Sequence, residues 1–266
     1  MADLSPGVAS AISPLVRRIV APNGGPLTGH GTNTYLVGVD EIVVVDPGPV
    51  DAAHVGTIVG CGGDRIRWVA VTHAHAEHAA VAAILADRVG AEVLAYPAID
   101  EGFELEATEF RLLALHTPGH SPDHLCYLLE EERMLFTGDT VVDHDGPAVA
   151  VTPPDGDMAA YMASLDRLGG RRLRLRTIAP GHGQLIDGPA ARVAADLSDC
   201  LAREAAILAA LEDGAVSVDQ LVARVYVDAD SAQLSVAAQT VQAHLLKLAA
   251  EGRATGADGA WHPHAA

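Results

Sequence analysis

Residues 73–78 hold His73, His75, Glu77 and His78, three imidazoles and a carboxylate within six positions. Nitrogen and carboxylate donors without sulfur suit zinc, and manganese or iron accept the same donors. The apolar run Val69-Ala70-Val71 before the cluster reads as a buried strand, and the run from Ala79 onward reads as a helix, so the polar residues fall on a strand-to-helix loop. Side chains alternate along an extended loop, so His73 and His75 can address one ion. Glu77 and His78, at the helix start, face the other way or deeper, where a second ion could lie. A satisfied core or surface histidine accounts for a lone His, but poorly for three at i, i+2 and i+5.

Further chemistry-bearing residues sit where apolar runs end. Asp46 closes the strand 41–45 in the turn Asp46-Pro47-Gly48-Pro49. It is either a turn former or the carboxylate that fixes the tautomer of a metal-holding imidazole, and the sequence leaves both open. The strand 110–115 runs into a proline-stiffened loop carrying His116, His120 and His124, of which only one need meet a metal. Asp139 follows the strand 134–136, His144 lies in the long loop 141–157, and His182 sits in Pro180-Gly181-His182-Gly183. His124 and His144 are the candidates for lining a substrate pocket.

These residues need a scaffold that gathers strand tips. Strands at 15–21, 34–39, 41–45, 69–71 and 92–95 alternate with helices at 51–59 and 78–89. A second round follows, with strands at 110–115, 125–129, 134–136 and 177–179 and a helix at 158–168. This is an α/β pattern in rough duplication, and two such halves packed sheet to sheet would bring the polar tips to one edge. Beyond Asp187 the reading changes to helices at 190–211, 217–226 and 235–250 and a hairpin at 253–263, the order of a winged helix. The expected domains are residues 1–188 and 189–266.

Composition narrows the function. A formal charge of −18 opposes attraction to phosphate backbones and anionic membranes, and Lys247 is the only lysine. Three scattered cysteines argue for a reducing compartment. With no basic, apolar leader and no membrane-length segment, a soluble cytoplasmic protein is expected.

In order and spacing, Asp46, His73-x-His75-x-Glu77-His78, His120, Asp139 and His182 resemble the five sequential motifs of the metallo-β-lactamase superfamily. Gly31-Thr32-Asn33-Thr34-Tyr35, the 116–124 loop and the winged-helix tail are together similar to its lactamase-β-like protein 2 group. The resemblance implies an αββα sandwich with two zinc ions. His73, His75 and His120 would hold one, Glu77, His78 and His182 the other, and Asp139 would bridge them. Glu77 departs from the family pattern, which has Asp there, and this puts the second ion in question. Glu77 and Asp139 are the candidate catalytic carboxylates.

The implied activity is hydrolysis of an ester, thioester or lactone-like small molecule by hydroxide on the metal, since zinc lowers the pKa of bound water to about 7. Competing readings are a single-strand endoribonuclease, a β-lactamase, and a metal-tuned regulator binding nucleic acid through the tail. The acidic balance disfavours nucleic acid, no membrane partner is expected, and the apolar tail helices suit packing, the pocket wall or a homodimer.

Overall fold

The computed structural model describes residues 4–143, 151–170, 172–214, 216–226, 231–257 and 259–264. Two compact units emerge: residues 1–117, 123–145 and 171–189 form the first, and residues 118–122, 146–170 and 190–266 the second.

The first unit is built on two six-stranded sheets. One runs in the order β1 (Ala9–Ala11), β2 (Val16–Val20), β3 (Asn33–Val37), β4 (Ile42–Val45), β5 (Ile66–Ala70), β6 (Glu92–Leu94). The other comprises β7 (Glu104–Glu106), β8 (Arg111–His116), β9 (Leu125–Leu129), β10 (Met134–Gly138), β11 (Thr177–Pro180) and β12 (Ile186–Asp187), with β12 and β7 at its edges. Strand alternation divides the apolar residues between two cores. Val43 and Val45 point between the sheets with Tyr35, Leu112, Tyr127, Phe136 and Ala179. Ile42 and Val44 point outward with Leu36 and Val69, where Val55, Ile58 and Leu85 cover them. Each such side chain contributes about 1.5–3 kcal/mol when fully buried.

Strands β4, β5 and β6 are parallel, so the chain must cross back between them. It does so through α1 (Ala52–Gly62), capped by the Asp51 carboxylate on His54 N at 2.7 Å, and through α2 (Ala76–Ala79) and α3 (Ala82–Val89). Strands β10 and β11 are also parallel. The consequence is that the residues following β4, β5, β10 and β11 all leave from carboxyl ends, the ends at which α/β sheets place their sites.

The structure corrects the helix expected at 78–89, which is broken in two and starts earlier, so that Glu77 and His78 lie inside α2. The cause is the turn after β4: Gly48 N donates to the His78 carbonyl at 2.9 Å, diverting it from the helix. The three-residue strands β1 and β7 and the two-residue β12 go beyond the sequence reading.

In the second unit, α4 (Met158–Gly169) is capped by Asp157, and α5 (Pro189–Glu212), α6 (Val218–Val225) and α7 (Ser231–Ala250) precede the hairpin β13 (Ala254–Ala257) and β14 (Ala260–Pro263). Ser217 and Gln220 form a reciprocal capping box on α6. Ile207, Leu211, Leu221, Val222, Val241, Leu245 and Leu248 make the core. Beside it Glu204 accepts from Lys247 Nζ at 2.6 Å and Arg253 Nη1 at 2.8 Å. No helix among the described residues is long and apolar enough to cross a membrane.

His244, wholly buried on α7, gives this unit a pH dependence. Burial pushes its imidazole down to about 4, with Glu204 opposing and Arg203 and Lys247 reinforcing the shift. Below the ordinary value of 6.5 the unfolded chain takes up the proton that the folded chain refuses. The stability is therefore complete above about pH 6.5 and falls by roughly 3 kcal/mol as the pH drops to 4. Urea unfolding of the full chain across this range should show that slope, and His244→Leu should flatten it; an unchanged slope would show that other groups cause it.

Candidate metal centre

Asp46 immediately follows β4, in a left-handed backbone conformation (φ 52°) that costs a non-glycine residue energy. Its buried carboxylate accepts three hydrogen bonds: from Thr72 N to Oδ1 at 2.8 Å, from Thr72 Oγ1 to Oδ2 at 2.8 Å, and from His78 Nδ1 to Oδ2 at 2.9 Å. Thr72 thereby spends its one hydroxyl proton on Asp46. His73 Nδ1, 3.0 Å from the same hydroxyl oxygen, must then be the donor in that contact, which leaves Nε2 as the acceptor nitrogen of His73.

The same logic orients two more imidazoles. His78 gives its Nδ1 proton to Asp46 and holds Nε2 3.3 Å from Asp139 Oδ1. His182, in the turn after β11, directs Nδ1 at the Gly31 carbonyl at 3.3 Å and holds Nε2 3.3 Å from the same Asp139 oxygen. His73 lies alongside, its ring centroid 4.4 Å from that of His78 and 4.5 Å from that of His75. One ligand atom from each of His73, His78 and Asp139 fits within a mutual separation of 4.8 Å. Gly181 keeps the space open, because a Cβ there would stand 2.7 Å from both Asp139 Oδ1 and His78 Cε1. Imidazole nitrogens fixed from behind and facing a carboxylate are a donor set that fits a divalent cation.

The electrostatics agree with a site for positive charge. Burial acts to lower the pKa of His78, but Asp139 and Asp46 outweigh it and hold the imidazole up to about 10. Burial likewise works to raise Asp139, and the charges of His182 and His78 bring it well below the usual carboxylate range. A proton and a metal ion therefore compete for His78 Nε2.

His124 is sealed inside the protein, not facing an open pocket. Its Nε2 accepts from Asp139 N at 3.2 Å, so its Nδ1 donates to Thr117 Oγ1 at 2.9 Å, whose own proton goes to Cys126 Sγ. It thus holds the backbone of Asp139 in place. His75 and Glu77 are half-buried. Among the described residues, Glu77 is not one of the side chains found close enough together to share an ion. His120 is carried by residues 118–122 of the second unit, where Ser164 Oγ donates to the Pro118 carbonyl at 2.8 Å and Asp157 N to that of Gly119 at 2.8 Å. His144 lies outside the described residues. The roles of Thr72 and Thr117 escape the sequence reading, because a threonine among apolar residues looks like any strand former.

The chain belongs to the metallo-β-lactamase superfamily, whose family model matches residues 27–109 and 95–182. A β-lactamase-associated winged helix domain matches residues 217–261. Among its relatives, the atrochrysone carboxyl ACP thioesterase dmxR1 of Cryptosporiopsis sp. (strain 8999) is 31% identical over 273 residues, covering 91% of this chain and 82% of that protein. The β-lactamase-like protein 2 homolog of Caenorhabditis elegans is 29% identical, covering 91% and 86%. The fold is shared with a metallo-β-lactamase family protein of Thermus thermophilus, at a TM-score of 0.79 and 22% identity over 95% of this chain and 100% of that one. A β-lactamase domain protein from Burkholderia ambifaria aligns at a TM-score of 0.82 and 22% identity over 98% and 96%. The protein is therefore a hydrolase of this superfamily, an α/β fold of two sheets and helices with a C-terminal winged-helix-associated domain.

Proposed function

We propose that this hydrolase is a zinc-dependent thioesterase that releases a small acyl group from its thiol carrier. The observation that carries the reading is the convergence of His78 Nε2 and His182 Nε2 on Asp139 Oδ1, with the back nitrogen of each ring already committed. The thioester class is supported by relatives bearing thioesterase names at about 31% identity. In this assignment His73, His75 and His120 would hold one ion and His78 and His182 the other, with Asp139 the carboxylate that would serve both. Bound zinc supplies a more acidic water and a polarised carbonyl. Asp46 and His124 keep His78 and Asp139 in register. Glu77, one methylene longer than the family's aspartate, moves a proton instead of holding an ion. The water oxygen bonds to the acyl carbon, the carbon–sulfur bond breaks, and a proton from that water passes to the sulfur, which leaves as a thiol while the acyl group leaves as a carboxylic acid.

Several features support a small-molecule substrate over nucleic acid. Besides the charge of −18, Lys247 is tied to Glu204 and Glu251, Arg253 is paired with the same two carboxylates, and His244 is buried. The three cysteines, Cys61, Cys126 and Cys200, far apart in the chain and odd in number, support a reducing, cytoplasmic setting. Residues 189–266 act in this proposal as a separate functional domain that contributes to packing or a homodimer.

The test is turnover of an acyl-N-acetylcysteamine thioester, a chromogenic oxoester, a cephalosporin and labelled single-stranded RNA, with and without chelator. The thioester should be cleaved fastest, activity should disappear with chelator, and zinc should restore it. Chelator-insensitive turnover, or less than about a tenth of an equivalent of metal in the isolated protein, would remove the zinc assignment. Faster cleavage of RNA or cephalosporin would remove the substrate class.

A further inference from the structure

We infer that Asn33 and Tyr35 are positioning residues for the metal centre: from β3 they grip the carbonyls on both sides of His182 and so set the direction of its imidazole. The inference rests on the reading that His182 holds an ion. It starts from a mechanical problem in the sequence Pro180-Gly181-His182-Gly183. The glycines flanking His182 give the turn wide backbone freedom, and Gly183 has a positive φ of 84°. Gly181 has no room for a side chain that would restrain it. A metal-binding imidazole tolerates only about 0.2 Å of error, so the turn must be fixed from outside.

The structure supplies that restraint from the start of β3. Asn33 N donates to the Gly181 carbonyl at 2.7 Å, and Asn33 Nδ2 donates to the Pro180 and Gly183 carbonyls at 3.0 Å each. The Tyr35 hydroxyl donates to the Pro180 carbonyl at 2.8 Å. Arg18, paired with Tyr35 in the sheet and 1% exposed, adds a bond from Nη1 to the Gly183 carbonyl at 3.2 Å. Thr32 pairs with His182 as a backbone bridge, and Gly31 accepts from its Nδ1. Gly31 must be glycine, since its φ is 131° and a Cβ would collide with the Ala21 carbonyl. Alternation along the strand sends Thr34 to the opposite face, where its hydroxyl donates to the Asp46 carbonyl at 2.6 Å. Residues 31–35 therefore brace the supports of two imidazoles, His182 directly and His78 through Asp46.

A merely structural role would lower stability without preference between ions, whereas a positioning role weakens one ion selectively. The experiment is competitive zinc titration of the metal-free full-length protein against a chromogenic chelator, for the unmodified chain, Asn33→Ala, Tyr35→Phe and His182→Ala. Asn33→Ala should weaken by about 10–100-fold the ion that His182→Ala abolishes, a size typical of losing an outer partner, while the other ion stays within about twofold. Tyr35→Phe, which removes one hydroxyl, should weaken the same ion by a smaller factor, and it carries the test alone if Asn33→Ala does not fold. Equal weakening of both ions, or of neither, would overturn the inference while leaving His182 as a ligand. Unchanged stoichiometry in His182→Ala would overturn the ligand reading itself, and this inference with it.

Discussion

Asp139→Asn should lower kcat/KM on a thioester by about a thousandfold or more and reduce bound zinc to one equivalent or less. The substitution keeps the shape of the side chain and removes its charge. In the structure that charge faces two imidazole nitrogens through a single oxygen, each at 3.3 Å. A carboxylate shared by two cations offsets their mutual repulsion, and its loss should forfeit several kcal/mol of charge stabilisation; roughly 4 kcal/mol corresponds to three powers of ten. The backbone should stay in place, because His124 holds Asp139 N and not the carboxylate. Steady-state kinetics with metal analysis on the same sample provide the measurement. A variant that turns over at the wild-type rate with two bound ions would show that Asp139 does not bridge.

Asp46→Asn should weaken zinc binding at His78 by about 10–100-fold and reduce turnover in step. The reason is the hydrogen-bond inventory. The Asp46 carboxylate accepts from Thr72 N, Thr72 Oγ1 and His78 Nδ1. An asparagine in either flip offers an oxygen to one side and an amino group to the other. With nitrogen toward His78, the imidazole must take the opposite tautomer and turn an N–H toward Asp139. With nitrogen toward Thr72, two donors oppose each other in a buried site, at a cost of about 1–3 kcal/mol. Zinc affinity measured by chelator competition, together with the urea midpoint of the metal-free protein, separates the two flips. Affinity and midpoint both within error of the unmodified chain would mean that Asp46 is only a turn former.

Much of this arrangement is legible from residue order. Asp46, His73, Asp139 and His182 each lie within three residues of the end of an apolar run, with His78 in the same short segment as His73, and polar residues just past a strand tip stand out against such a background. Which nitrogen each imidazole presents is not legible, because the partners that decide it are remote or ordinary in appearance. Asp46 and Thr72 are 26 residues apart, and His182 and Gly31 are 151 apart. In the sequence His124 reads as a candidate for lining a pocket, at the end of a proline-stiffened loop. It is drawn inside because Thr117 N bonds to its carbonyl at 2.8 Å and closes the loop at its base. The break between α2 and α3 is invisible for a similar reason. Ala79, Ala80 and Val81 suit a continuous helix, and the competing donor, Gly48 N, comes from another strand's turn. Short strands such as β12 contain too few residues for any period to show.

The outermost strands of both large sheets, β1, β6, β7 and β12, are only two or three residues long, whereas every inner strand has four to six. Exposed acidic groups stand on three of these borders, as Glu92, Glu104, Glu106 and Asp187. A neighbouring molecule seeking to add its own strand meets a ladder too short to template pairing and a row of like charge, the means by which natural sheets resist fibrillar association. The open flanks of the sandwich are thus closed to polymerisation.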